Sequence, residues 1–315
     1  MSATQHMGVF QQPAKHQKKR STTHMSTECE SNTGCSSCSS ATGCDQSNKE
    51  AHEQEMLTKR MADIRHKFLV ISGKGGVGKS SVAVNLAATL AAQGNKVGIL
   101  DADIHGPNIP KMLGVDDQKP LSGEDGVMPI AVTDNLRVMS IAFFLNSTED
   151  AVIWRGPMKH SLIKQFLGEV IWGKLDYLII DLPPGTGDEA LSVSHVLKEV
   201  DGAVVVTTPQ DVALLDSRKS ITFCREIKIP CIGVVENMSG LYCPHCNELI
   251  DLFKSGGGER IAQEMKVPFL GRIPLDPKMV MSTDDGEAYV TRNTESKVAE
   301  AFNAIAEAWK KRLDG

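Results

Sequence analysis

The run Gly73-Lys74-Gly75-Gly76-Val77-Gly78-Lys79-Ser80 limits what this chain can be more than any other stretch of it. An apolar β-type segment, Phe68-Leu69-Val70-Ile71, precedes it, and a helical pattern of Val82, Val84, Leu86, Ala87 and Leu90 follows. Strand, glycine-rich turn and helix in that order bring successive backbone N–H groups and a helix N-terminus onto one anion. Gly73, Gly78, Lys79 and Ser80 occupy the fixed places of the phosphate-loop pattern. The expected cradle for a nucleoside triphosphate runs from Gly73 to Ser81, with Gly75, Gly76 and Val77 inside it. Lys79 is placed to reach the β- and γ-phosphates, and the Ser80 hydroxyl to ligate Mg²⁺.

From about residue 66 strand and helix patterns alternate. Strands are predicted at 67–72, 96–101, 176–181, 202–207, 231–236 and 268–273. Helices are predicted at 79–93, 158–170, 188–199, 211–226, 256–265 and 295–312, and two further strands fit within 127–143. Most strands are Val/Ile/Leu runs suited to a sheet covered on both faces. The expected fold is α/β, a doubly wound and mainly parallel sheet with ligand loops at the strand C-terminal ends. Residues 1–60 are rich in Ser, Thr, Gln, Asn and Lys. They cannot bury enough apolar surface to fold alone, so a disordered extension is expected there unless a metal organises it, with the ATPase domain over 61–315.

A formal net charge of −5 over 315 residues gives no general attraction to nucleic acid or anionic membrane. No apolar run approaches the length that spans a bilayer. Residues 1–24 hold Lys15, Lys18, Lys19 and Arg20 and no acid, but lack the apolar stretch of a secretion signal. An untargeted cytoplasmic tail is expected, with an organelle transit peptide as the alternative and Met25 as an alternative start.

Carboxylates end two apolar strands, where they are costly unless paired, hydrated or near a metal. Val97-Gly98-Ile99-Leu100 leads into Asp101-Ala102-Asp103, whose alternation puts both acids on one side of the chain. Asp101 is assigned to the magnesium shell and Asp103 to the attacking water. Tyr177-Leu178-Ile179-Ile180-Asp181 has the form of a Walker B strand, with Asp181 holding Mg²⁺ through water. Leu182-Pro183-Pro184-Gly185-Thr186-Gly187-Asp188 then forms a loop able to feel the γ-phosphate through Gly185.

Lys74 is surplus to an ordinary phosphate loop. The loop resembles the deviant one of the ATPase class that includes MinD, ParA, the arsenite-pump ATPase and the nitrogenase iron protein. There the early lysine reaches the partner's nucleotide, which implies a homodimer and a catalytic role for Lys74. In the same class an asparagine placed like Asn237 reads the base, and a segment placed like Gly271–Asp276, with Pro274 in it, lines adenine.

The wider set of motifs resembles one family. Gly75–Ser80, Asp101-Ala102-Asp103-Ile104-His105-Gly106-Pro107, Trp154-Arg155-Gly156-Pro157-Met158, Asp181–Asp188 and Glu236-Asn237-Met238-Ser239 are similar to the Mrp/ApbC-type ATPases. Those are iron–sulfur cluster carriers related to the scaffold ATPases of cytosolic cluster assembly, and the likeness runs over about 66–310. It implies a [4Fe–4S] cluster on Cys243 and Cys246, apoprotein recipients, and no role for nucleic acid or stable membrane attachment. One Cys-x2-Cys supplies half of a four-thiolate set, and a twofold dimer completes it. Structural zinc and thiol–disulfide chemistry remain open for the same pair.

Cys29, Cys35, Cys38 and Cys44 resemble the cysteine-bearing extension of the cytosolic scaffolds, although Cys29 lies closer than the usual spacing. A cluster, zinc or no metal remain open there. Cys224 and Cys231 are expected to be small core residues. An apolar stripe of Val298, Phe302, Ile305, Ala306, Trp309 and Leu313 fits either docking on the sheet or a MinD-type membrane grip. Docking is expected. The rival to a cluster carrier is a MinD/ParA-like positioning ATPase that holds no metal.

Overall fold

The structure is a computed structural model that describes residues 46–145, 156–197, 199–243 and 245–313. The chain divides between Met56 and Leu57, and of the first unit only the helical residues 46–56 are described. Helix α1 (Gln46–Ala62) is followed by strand β1 (Ile64–Ile71), the glycine loop, helix α2 (Lys79–Ala92) and strand β2 (Val97–Asp101). A short helix α3 (Ile109–Met112), the hairpin β3 (Ser122–Gly123) and β4 (Gly126–Val127), and strands β5 (Ile130–Thr133) and β6 (Leu136–Ser140) come next. Then follow α4 (Gly156–Glu169), β7 (Leu175–Asp181), α5 (Asp188–Val196), β8 (Gly202–Thr207), α6 (Asp211–Glu226) and β9 (Cys231–Glu236). A second hairpin, β10 (Leu241–Tyr242) with β11 (Leu249–Ile250), leads to α7 (Gly257–Glu264) and β12 (Phe269–Arg272). The chain closes with α8 (Pro277–Asp284), α9 (Tyr289–Arg292) and α10 (Lys297–Leu313).

The main sheet has the order β12-β9-β8-β1-β7-β2-β6-β5. Every neighbouring pair is parallel except β5 with β6 at one edge. Strands β2 and β8 are buried along their whole length, as expected for apolar runs covered on both faces. Strand β7 lies between β1 and β2. That insertion sets Asp181 beside Val70 on one side and Asp101 on the other. Asp101 in turn lies beside Ser140 at the end of β6. Four strand ends therefore meet at the glycine loop.

The terminal stripe docks. Val298, Phe302, Ile305, Ala306 and Trp309 of α10 are all buried. The Trp309 ring meets Phe68 of β1 edge-on with centroids 4.5 Å apart, and Ile305 fills the space beside Gly271 in β12. The apolar face that a membrane grip requires is spent on the sheet. No helix among the described residues is long and apolar enough to cross a membrane.

Helix α1 differs from expectation. The boundary at residue 60 falls inside it, so residues 46–60 are helical rather than unstructured. Its composition is mostly polar, but Gln, Lys, Glu, Ala and Met are good helix formers, and Leu57 and Met61 form a short buried stripe. The buried Lys67 ammonium donates to the carbonyl of Ile64 at 3.1 Å, at the start of β1, and at 3.5 Å to that of Met61, an acceptor that the end of α1 leaves open.

Candidate nucleotide site and cysteine knuckle

The glycine loop leaves β1 through Ser72, whose hydroxyl donates to the Lys74 carbonyl at 3.0 Å. Gly78 precedes α2 in the left-handed region, at φ 78°, and Gly76 has φ 80°. A side chain at Gly78 would also collide with the Asn237 amide, so glycine is required there twice over. Gly73 lies against the backbone of Asp216 in α6, leaving no room for a Cβ. Gly75 and Gly76 are exposed, Val77 is buried, and Ser81 is half-buried on the first turn of α2. These constraints turn the loop's N–H groups and the α2 N-terminus to one side, which is where an anion is received.

Charge at the loop is concentrated and dry. Lys79 is 6 % exposed, Asp181 0 % and Asp101 1 %. The Lys79 ammonium lies 2.7 Å from Asp181 Oδ1, an ion pair without a directed hydrogen bond to that oxygen. Ser80 Oγ donates to Asp181 Oδ2 at 2.5 Å and accepts from Lys79 Nζ at 3.2 Å. Burial raises the Asp181 carboxyl above the usual carboxylate range, and Lys79 opposes that shift. Asp101 accepts from Ser140 Oγ at 3.0 Å, Ile109 N at 3.3 Å and Asp103 N at 3.2 Å. Burial, reinforced by the neighbouring Asp181, still pushes Asp101 up to about 8. With both acids ionised, one ammonium would leave a shortage of positive charge, and Asp101 therefore holds its proton to near pH 8 unless a cation arrives. Ser80, Asp181 and Asp101 are the oxygen donors that suit a hard divalent cation.

The Asp101 shift has a measurable consequence. With its folded-state value near 8 and an unfolded value near 3.8, the folded state binds more protons across that window. Stability of the nucleotide-free, metal-free chain should then fall with rising pH, by up to about 1.4 kcal/mol per pH unit from this group. Urea unfolding in chelator between about pH 5 and pH 8 is expected to show a steeper fall in the parent than in Asp101→Asn, where the raised Asp181 carboxyl still contributes. Equal slopes in the two proteins would contradict the burial of an uncompensated carboxyl.

Asp103 is half-buried, and its Oδ1 accepts from Gly106 N at 3.3 Å, so the turn after β2 holds the carboxylate. Gly185 donates its N–H to the Ser72 carbonyl at 2.8 Å, which seats the 182–187 loop directly on the phosphate loop. Lys74 is half-buried and makes no hydrogen bond or ion pair with its ammonium among the described residues. Asn237 is buried and donates Nδ2 to the Val77 carbonyl at 2.9 Å. Its Oδ1 and the second Nδ2 hydrogen are left to accept from and donate to a base. Pro274 is buried beside it, because Ile273 N donates to Glu236 O and Ser239 N donates to Ile273 O, at 2.8 and 2.9 Å. The structure therefore gathers Gly73–Ser81, Asp101, Asp103, Asp181, Asn237 and Pro274 at one end of the sheet.

Two participants were not singled out in the sequence. Ser140 holds Asp101, and its only signal is a hydroxyl at the end of an apolar strand. Ser72 supplies the carbonyl that seats Gly185, which no side-chain pattern announces.

Cys243 and Cys246 form the tip of the β10–β11 hairpin, a segment between β9 and α7. Cys243 N donates to the Glu248 carbonyl and Asn247 N to the Cys243 carbonyl, both at 2.9 Å, closing a tight knuckle. Backbone N–H groups of Cys246 and His245 aim at the Cys243 sulfur and hold its thiol below the usual range. Neither cysteine is in a disulfide, and Cys246 is exposed. Around the knuckle Tyr242, Leu249, Ile250, Leu252 and Phe253 are exposed apolar side chains. No group of three or more potential metal ligands occurs among the described residues. Cys224 is buried, and desolvation pushes its thiol up to about 12 and that of Cys231 up to about 11. Cys224 is a core residue, and Cys231 is half-buried at the start of β9. Cys29, Cys35, Cys38, Cys44, Trp154 and Arg155 lie outside the described residues.

A parallel sheet with a phosphate loop, a second loop lysine and carboxylates on two adjacent strand ends defines a P-loop NTPase of the deviant, MinD/ParA-like class. MinD of Pyrococcus furiosus superposes with a TM-score of 0.59 at 26 % identity, covering 78 % of this chain and 99 % of that one. The chain belongs to the ParA family of NUBPL iron-transfer P-loop NTPases, whose profile matches residues 63–310. It is 48 % identical over 282 residues to the iron-sulfur cluster carrier protein of Methanocaldococcus jannaschii, covering 89 % of this chain and 97 % of that protein. It is 52 % identical to a cytosolic Fe-S cluster assembly factor NUBP2 homolog of Nematostella vectensis, over 78 % of this chain and 92 % of that one. A nucleotide-binding protein of Archaeoglobus fulgidus, solved in complex with ADP and with Co, is 40 % identical with a TM-score of 0.67. That match covers 75 % of this chain and 92 % of the solved one.

Proposed function

We propose that this chain is an ATP-hydrolysing iron–sulfur cluster carrier that holds a [4Fe–4S] cluster between two copies and passes it to apoproteins. The observation that carries the reading is the pair of free thiols, Cys243 half-buried and Cys246 exposed, on a hydrogen-bonded knuckle that follows the end of β9, beside the phosphate loop. Two thiols fill half of a cluster's ligand set, and a twofold axis supplies the other half. The exposed apolar side chains around the knuckle suit a dry seam between the copies. The relatives named as cluster carriers and assembly factors support the same cargo.

At the nucleotide, the loop N–H groups and the α2 N-terminus bind the phosphates. Lys79 leaves Asp181 for the β- and γ-phosphate oxygens, and Lys74 serves the nucleotide of the second copy. Magnesium, held by Ser80 with Asp181 and Asp101 behind it, would neutralise phosphate charge. Asp103 orients the attacking water, and the products are ADP and phosphate. Asn237 Oδ1 and the backbone around Pro274 face adenine. For Gly185 N–H to meet the γ-phosphate it must first release the Ser72 carbonyl, so the 182–187 loop has two alternative partners. Cys29, Cys35, Cys38 and Cys44 provide a second cluster site on one chain.

The test is anaerobic reconstitution with iron and sulfide, followed by iron and acid-labile sulfide per chain and by EPR. Cys243→Ala/Cys246→Ala should lose the bridging cluster while retaining the iron of the N-terminal set. If that variant keeps all the iron of the parent, the bridging site is wrong.

A further inference from the structure

We infer that Glu236 is a positioning residue that couples the nucleotide site to the cysteine knuckle, by fastening both roots of the cysteine loop to the strand end that touches the phosphate loop. The inference rests on the reading of Cys243 and Cys246 as the cluster-binding pair.

Glu236 ends β9 and is 0 % exposed. A carboxylate in that position is costly unless donors surround it, and every donor here comes from a root of one loop or from the strand beside it. On the outgoing root the Ser239 hydroxyl donates to Oε1. On the returning root Gly256 N donates to Oε1 at 2.9 Å, and Gly258 N, in the first turn of α7, donates to Oε2. Arg272 Nε stands 3.7 Å away at the end of β12. Between those roots runs the whole excursion with β10, the knuckle and β11. Two carboxylate oxygens can accept from several directions at once, which neither an amide nor an apolar side chain can match.

The next residue faces the other way. Asn237 grips the Val77 carbonyl through Nδ2, donates its own N–H to the Thr207 carbonyl at 2.8 Å, and its amide fills the space beside Gly78. Met238 has φ 56°, an uncommon conformation for a side chain of its size, and its Cε lies beside Gly78 as well. Asn237 and Ser239 are 4 % and 6 % exposed. A movement of the phosphate loop on receiving its anion thus meets a packed segment with little room to absorb it. The displacement is delivered to Glu236 and Ser239, and from there to both roots of the knuckle loop. Sites so linked must influence each other reciprocally.

The experiment is peptide-resolved iodoacetamide alkylation of Cys243 and Cys246 in the reduced, metal-free full chain, with and without Mg-ADP or a non-hydrolysable ATP analogue. In the parent, nucleotide is expected to change the alkylation rate by about fivefold or more, the low end of common coupling strengths. In Glu236→Gln, and in Ser239→Ala as the milder variant, the rates with and without nucleotide should converge while nucleotide affinity by calorimetry stays that of the parent. A purely structural role would raise reactivity equally in both states and leave their ratio intact. That result, or a parent indifferent to nucleotide, overturns the inference. The difference in iron content between the reconstituted parent and Cys243→Ala/Cys246→Ala, measured in parallel, separates failure of the relay from failure of the cluster reading. The first leaves that difference in place, and the second abolishes it.

Discussion

A chain carrying Lys74→Ala is expected to bind ATP as tightly as the parent and to lose about three orders of magnitude in kcat. Lys74 sits at the second position of the phosphate loop, half-buried, with its ammonium unpaired among the described residues. Lys79 already stands inside the loop for the chain's own phosphates. A cation delivered by a second copy meets charge that develops on the transferring phosphoryl group, and such in-trans contacts are worth about 10³–10⁵ in rate for arginine fingers. The lower end suits an ammonium, which lacks the guanidinium's paired donors. Steady-state ATPase assays with independent calorimetry make the check. A raised KM with unchanged kcat would instead assign Lys74 to ordinary binding of its own nucleotide.

Lys79→Ala should fail twice over. Nucleotide binding is expected to disappear, and the nucleotide-free fold should lose about 3–5 kcal/mol, because removing one partner of a buried ion pair leaves the other uncompensated. Here two acids are stranded, since Asp101 and Asp181 lie side by side on β2 and β7 and are both buried. Adding Asp181→Asn to Lys79→Ala should recover much of the stability without recovering binding. The loss should also shrink as pH falls, because the stranded carboxyls then take up protons. Denaturant unfolding in chelator measures both effects. A single variant as stable as the parent would show that Lys79 does not neutralise these acids at rest.

Much of the site was legible because it is local. The phosphate loop is contiguous, its glycines answer to backbone constraints within a few residues, and the apolar runs on either side have unmistakable periods. The strand-terminal acids Asp101 and Asp181 stood out for a related reason, since a charge at the end of a buried strand demands an explanation. Helix α1 was missed because its polar residues hid a stripe of only Leu57 and Met61. The short helices α3 and α9 are too brief to establish a period, and α8 buries only Ser282, so it carries no apolar stripe to read.

Residue order alone determined that a triphosphate cradle, a row of buried strands and a cysteine pair after a late strand would exist in this protein. What only the folded chain decided was their adjacency. Strand β7 enters between β1 and β2, bringing Asp181 to Asp101 and to Lys79, residues distant from it in sequence. Glu236 closes a loop whose ends no periodicity marks as neighbours. Backbone geometry and hydrophobic period act over a few residues and are written in sequence, whereas strand order and buried hydrogen-bond partners follow from how the whole sheet excludes water.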